Sequence, residues 1–168
     1  SCTGSGKTTA VAVHMGKYLK EHPTSKLISL SHKRNLADQH LQSFAALNLT
    51  DYRAMSAEYR GENITVCLNS INKISSLGPE QLSRCIVYID EIDSFLKLTH
   101  NTTLKDEREI FLQLTKIIKC AHKVIVSDAI IRDNVFEFLK HRTPPLLVNN
   151  LFKKFEGVPA KRIRNEEN

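Results

Sequence analysis

The sequence has 168 residues, of which 41% are hydrophobic and 25% charged, the balance of one globular domain that buries roughly 70% of its unfolded surface. No apolar run approaches the roughly 18 residues needed to cross a bilayer, and the mean hydropathy is -0.28, so a membrane partner is excluded from the expectations. A formal charge of +6 and a pI near 9.2 favour a polyanionic partner without singling out nucleic acid.

In chain order, apolar stretches alternate with helical patterns, which predicts a mainly parallel α/β sheet. Residues from Lys7 to about Lys20 read as a helix that opens directly from a glycine-rich loop. Leu27–Leu30 reads as a short strand, bounded upstream by Pro23, Thr24 and Ser25. Asn35–Leu47 follows as a helix with Leu36, Leu41, Phe44 and Leu47 on or near one face. Ile64–Leu68 is a predicted strand, and Ser70–Ser76 a short helix ended by Gly78-Pro79. Cys85–Ile89 is almost wholly apolar, as a strand covered on both faces must be.

Lys105–Ala121 gives the clearest amphipathic helix, with Ile110, Phe111, Leu114, Ile117, Ile118 and Ala121 at the spacing of a packed stripe. Lys123–Val126 is a further buried strand and Ile131–Leu139 a helix. Leu146–Val148, after Pro144-Pro145, reads as a last strand, and the basic tail from Lys153 to Arg164 as a linker between domains. There is no internal repeat and no low-complexity tract.

Cys2, Cys67, Cys85 and Cys120 form no C-x-x-C pair, and the seven histidines form no H-x-x-x-H pair. Metal sites and small disulfide frameworks need such spacing. Cys67 and Cys85 sit in apolar runs, the place of reduced core thiols, so an intracellular, reducing compartment is expected rather than secretion. No secretory leader is visible at the start. A phosphate loop ordinarily follows a buried strand, and this sequence opens on the loop itself, so the expectation is a fragment lacking its first strand.

Ser1-Cys2-Thr3-Gly4-Ser5-Gly6-Lys7-Thr8-Thr9 fits the phosphate-loop pattern G-x-x-x-x-G-K-[ST] except at its first position. Glycines let the backbone curl so that successive N–H groups face phosphate oxygens. The helix that starts near Lys7 adds the partial positive charge of its N-terminus. Thr3, Gly4, Ser5, Gly6, Lys7, Thr8 and Thr9 are therefore the candidate nucleotide cradle. In such a loop the lysine reaches the β- and γ-phosphates of ATP, and the following hydroxyl, that of Thr8, ligates Mg2+. The bland alternative is a chance glycine turn before a helix.

Ile89-Asp90-Glu91-Ile92-Asp93 closes the apolar strand. Carboxylates at the C-terminal end of a central parallel strand lie in the crevice where such sheets bind ligands. Asp90 is the candidate metal ligand and Glu91 the candidate base for an attacking water. The competing reading, an acidic helix start favoured by the helix dipole, loses weight once the phosphate loop is considered beside it.

A Gly-Lys-Thr phosphate loop followed by Asp-Glu-x-Asp resembles the superfamily 2 helicases and translocases. Ser31-His32-Lys33-Arg34 sits where that superfamily touches the sugar–phosphate backbone, and Leu68-Asn69-Ser70-Ile71 where a further strand-touching motif lies. Ser127-Asp128-Ala129 takes the position of the Ser-Ala-Thr motif that links hydrolysis to strand movement. Ser-His-Lys-Arg-Asn-Leu, Tyr-Ile-Asp-Glu-Ile-Asp-Ser and Val-Ser-Asp-Ala are similar in detail to the herpesvirus-type replication origin-binding helicases and their relatives in large DNA viruses. Two departures, Ile92 in place of alanine and Asp128 in place of the alanine of Ser-Ala-Thr, argue against a DEAD-box RNA helicase.

The resemblance implies a RecA-like three-layer domain over residues 1–148, with 149–168 leading to a second RecA-like domain that supplies arginines across the nucleotide. It implies an ATP hydrolase in which Lys7, Asp90 and Glu91 act in catalysis. Ser31, Lys33, Arg34 and Ser70 would bind nucleic acid, and Ser127 and Asp128 would couple the two events. DNA, single-stranded or origin duplex, is the implied partner. A small-molecule kinase, a viral packaging ATPase and a non-catalytic nucleic-acid scaffold remain the rival readings.

Overall fold

The fold is that of a computed structural model, which describes residues 6–55, 59, 61–99, 107–140, 142, 146 and 148. Helix α1 (Lys7–Glu21) begins at Gly6, which takes φ 75°, a left-handed conformation open to glycine and strained for other residues. Strand β1 (Lys26–Ser31) leads into α2 (Arg34–Ser43). A two-residue strand β2 (Thr50–Asp51) precedes β3 (Ile64–Cys67). Then come tight 3₁₀ turns over Leu68–Ile74, the short helix α3 (Pro79–Leu82) and strand β4 (Cys85–Asp90). Helices α4 (Ile92–Thr99) and α5 (Glu107–Cys120), strand β5 (Lys123–Ser127) and α6 (Asp133–Leu139) complete the described part.

All five strands are parallel, in the order β2-β3-β1-β4-β5. β1 and β4 are central, and five of the six residues of β1 and all six of β4 are buried, which is why β4 is a nearly unbroken apolar run, while β1 interrupts its own with the buried Ser29 and Ser31. Their side chains still alternate between faces. Leu27, Ile86 and Tyr88 pack with Met15 of α1 and with Phe44 just past α2. Ile28, Leu30, Val87 and Ile89 pack on the other face with Phe95 of α4, Leu114 and Ile117 of α5 and the turn residues Leu68 and Ile71. The α1/α2 face also carries Ser29, whose hydroxyl meets His40 of α2, and Asp90 at the C-terminal rim.

Several expectations need correction. Gly78-Pro79 does not end a helix; Pro79 is the first residue of α3, a position that needs no N–H and suits its fixed φ. The helix foreseen over Ser70–Ser76 is instead a run of 3₁₀ turns kinked at Ser70. The inward face of α2 is Ala37 and His40, with Phe44 beyond its end, whereas Leu36 and Leu41 are only half-buried. Phe111 is 37% exposed rather than part of the packed stripe of α5. Leu146 and Val148 lie in no strand and are exposed. β2 had no counterpart in the expectations, and α4 appeared there only as the competing reading of Asp90–Asp93 as an acidic helix start. No described helix is long and apolar enough to cross a membrane.

The ring of Phe44 stands 5.6 Å from that of Tyr88 and 5.9 Å from that of His40, both near edge-on, and it is fully buried. Phe44→Ala is expected to lower stability by about 3–5 kcal/mol in a urea titration. Val13→Ala, at a residue 71% exposed, should stay within about 0.5 kcal/mol of the parent.

Candidate functional site

The site is built around Asp90, the last residue of β4. Its Oδ2 accepts a hydrogen bond from the Thr8 hydroxyl of α1 at 3.2 Å, joining residues 82 positions apart. Its Oδ1 accepts from the Ser127 hydroxyl at the end of β5 and from the Glu91 amide at 3.0 Å. Strand register explains the first of these, because Asp90 and Ser127 are direct partners in the β4–β5 ladder. The Tyr88 hydroxyl lies 3.0 Å from Ser127 Oγ.

His40 approaches from α2, its Nδ1 2.8 Å from Ser29 Oγ and its Nε2 3.6 Å from Asp90 Oδ2. At that length the second contact is longer than a hydrogen bond and acts as a nearby dipole or, when the ring is protonated, a charge. Burial alone pushes the Asp90 carboxyl up. His40, Ser127 and the Glu91 amide outweigh it and hold the group at about 2. Asp90 is thus an ionised carboxylate at neutral pH, with its side chain only 11% exposed.

Glu91 follows in a left-handed conformation, φ 51°, which costs a non-glycine residue about 1–2 kcal/mol. Its side chain is half exposed, and its Oε2 stands 3.5 Å from Nε2 of His32, an almost completely buried ring. Burial holds the His32 imidazole below its ordinary range, against the opposing pull of Glu91, so the ring is neutral at neutral pH.

Of the expected cradle, Gly6 is the N-cap of α1 and Lys7, Thr8 and Thr9 form its first turn. Lys7 and Thr8 are half-buried and Thr9 is exposed. Thr3, Gly4 and Ser5 lie outside the described residues. The fold therefore brings Thr8 against Asp90 and places Glu91 on the same rim.

Among the residues expected to meet nucleic acid, Lys33 and Arg34 are exposed at the start of α2 and Ser70 is half-buried at the kink. Ser31 is different. It is fully buried in β1, and its hydroxyl has no hydrogen-bond partner among the described residues, so its side chain does not present itself to an external phosphate.

Ser127 and Asp128 grip the two sides of the β4–α4 junction. Ser127 holds Asp90, while Asp128 Oδ2 accepts from the Asp93 amide at 2.8 Å and caps the first turn of α4. The Asp93 carboxylate in turn accepts from Lys97 Nζ at 2.8 Å and Asn134 Nδ2 at 3.2 Å, with Arg132 Nε at 3.8 Å. The start of α6 is thereby tied to the turn that carries Glu91.

His40 and Tyr88 are site residues that the sequence reading passed over, and His32 was read only within Ser31–Arg34 as part of a backbone-touching motif, not as a neighbour of Glu91. His40 is three residues beyond Ala37, so the helical period could have marked it as an inward-facing polar group. The two-residue alternation along β4 likewise puts Tyr88 on the face of Asp90. His32 carried no such signal.

Among the described residues no cluster of three or more His, Cys, Asp or Glu side chains could hold a metal alone. Thr8 and Asp90, already in contact, fit the one or two protein ligands that Mg2+ takes when phosphate and water complete its shell.

The model of one protein family, described as "Origin of replication binding protein", matches residues 1–153. No curated protein matches the sequence. Among solved structures, a variant of S. cerevisiae Dbp5 bound to RNA and ADP BeF3 is similar at a TM-score of 0.56 and 18% identity. The match covers 83% of this chain and 37% of that one. This likeness shows the RecA-like α/β fold.

Removing the Asp128 carboxylate leaves the Asp93 amide without its acceptor. Asp128→Ala is expected to cost about 1–2 kcal/mol, read as a fall in Tm of about 2–8 °C, whereas Asp128→Asn, which keeps an acceptor, should lose less than half as much.

Proposed function

This chain belongs to the origin of replication binding protein family, and from that membership we propose that it is the ATP-binding half of a DNA-dependent motor, hydrolysing ATP to drive translocation or unwinding in viral or plasmid-like replication. The observation that carries the reading is the Thr8–Asp90 contact at the open end of β4, beside a left-handed Gly6. A hydroxyl from the first turn of a helix and an ionised strand-end carboxylate converge where a triphosphate tail would meet the helix N-terminus.

In this reading the N–H groups at the start of α1, around residues 6–8, face the phosphate oxygens, and Lys7 neutralises the β- and γ-phosphates. Thr8 and Asp90 are the residues that would hold Mg2+, which when bound spreads the charge of the phosphate oxygens. Ser127 and His40 keep Asp90 ionised and aimed. Glu91 orients and deprotonates the attacking water. Lys33 and Arg34 take sugar–phosphate backbone at the exposed start of α2, with Ser70 on a neighbouring turn. Asp128 and Asp93 pass the state of the β4–α4 junction to α6.

A second RecA-like domain of the same polypeptide, reached through residues 149–168, closes over the nucleotide and contributes the arginines. Such a residue is worth roughly 10³–10⁵ in rate, so the chain alone is a weak ATPase. Cys67 and Cys85 are free and buried, which suits an intracellular, reducing compartment.

The test is the ATPase rate of the full-length protein with and without single-stranded DNA, duplex or RNA. Stimulation by DNA is expected, and Lys7→Ala should remove it. Glu91→Gln should lower the stimulated rate by roughly 10²–10⁴ while nucleotide affinity is kept. Full activity in Glu91→Gln would rule out Glu91 as the base; turnover that needs a small-molecule acceptor and ignores nucleic acid would make the protein a kinase.

A further inference from the structure

The contact between His32 and Glu91 is not needed for binding a nucleotide, yet its placement is specific. β1 and β4 are adjacent and parallel, with Leu30 opposite Ile89, so the residues that follow leave the sheet side by side at the same rim. There the buried imidazole of His32 faces Glu91 at 3.5 Å, and neither ring nitrogen has a hydrogen-bond partner among the described residues. Glu91 is held in a strained left-handed turn with half its side chain in solvent. A carboxylate so placed has more than one accessible direction, and the imidazole favours one of them.

His32 is also joined by one peptide bond to Lys33 and by two to Arg34, the exposed cations at the start of α2. Lys33, the N-cap, makes no side-chain cap bond, and the first turn contains no acidic residue. Two exposed positive side chains thus stand at a helix start that no side chain caps. A ligand held there would sit on the stretch of backbone that carries the His32 ring.

We propose that His32 is a positioning residue that couples nucleic-acid occupancy at Lys33 and Arg34 to the orientation of Glu91. It deepens, and rests on, the motor reading above. Without nucleic acid the imidazole holds Glu91 aside from the attacking water, and hydrolysis is slow. A phosphate drawn onto Lys33, Arg34 and the start of α2 displaces residues 32–34, weakens the contact, and lets Glu91 turn inward. No bond is made or broken in this step; a side chain changes direction. Coupling is reciprocal, so the conformation with Glu91 released also binds DNA more tightly.

The experiment measures ATP turnover of the full-length protein with and without a poly-dT oligonucleotide, for wild type, His32→Ala and His32→Gln. In His32→Ala the rate without DNA should rise at least about fivefold, and the ratio of stimulated to unstimulated rate should collapse toward one, with KM for ATP unchanged. His32→Gln, which keeps a side-chain N–H donor, should restore most of the DNA dependence. DNA affinity measured without nucleotide supplies a second readout and should increase in His32→Ala.

A wild-type stimulation ratio preserved in His32→Ala overturns the proposal and leaves the motor reading standing. So does an equal loss of both rates in the two variants accompanied by a lowered Tm, the mark of a merely structural ring. A wild-type rate indifferent to every nucleic acid overturns the motor reading, and this inference with it.

Discussion

The whole rim depends on keeping one carboxylate, Asp90, ionised while nearly out of water. Removing such a charge from solvent costs several kcal/mol unless hydrogen bonds and opposite charges make up for it. Here the compensation comes from four directions: Thr8 on α1, Ser127 on β5, the Glu91 amide in the turn just past β4 and His40 on α2. Each compensating group sits on a different element, so Asp90 fixes how those elements meet. The alternation of β4 makes this possible, because one strand sends Val87 and Ile89 into one apolar layer while Tyr88 and Asp90 face the other.

From that anchor the two neighbouring carboxylates differ sharply in freedom. Asp93 is held by Lys97 and Asn134, with its amide capped by Asp128. Glu91, between them, has a strained backbone, a half-exposed side chain and, among the described residues, a 3.5 Å approach to the neutral ring of His32. Within four residues the chain passes from a fixed carboxylate to a freer one and back to a fixed brace. In the function proposed above, that contrast would hold a metal ligand fixed while leaving the water-directing group able to turn.

Much of this was legible in the residues. The strands at Leu27–Leu30, Cys85–Ile89 and Lys123–Val126 announce themselves as short, mainly apolar runs, and each is found within a residue or so of its expected limits, although Lys123–Val126 is half-buried rather than buried. The pattern around Gly6–Thr8 and Asp90 picks out Thr8 and Asp90, two residues 82 positions apart that the fold brings into contact. β2 stayed hidden because two residues carry no period. α4 stayed hidden although Ile92, Phe95 and Leu96 have helical spacing, since Asp90–Asp93 was read for its chemistry instead. Gly78-Pro79 misled because a proline that stops one helix is equally suited to start another. The histidines were the largest omission: buried polar partners such as His40 and Ser29 are set by which faces meet, and no local spacing encodes that.

The strand order carries one more consequence. β1 pairs with β3 and β4, while β4 and β5, consecutive in the sheet, are separated by two helices. None of these ladders can close as a local hairpin, so each must bring distant stretches of chain together before it gains anything, and folding of such a topology is correspondingly slow. The rim that holds Asp90 draws on α1, α2, β4 and β5 at once. It therefore comes into being only when the sheet is complete, and a nascent or partly unfolded chain carries no half-built version of it to bind nucleotide out of turn.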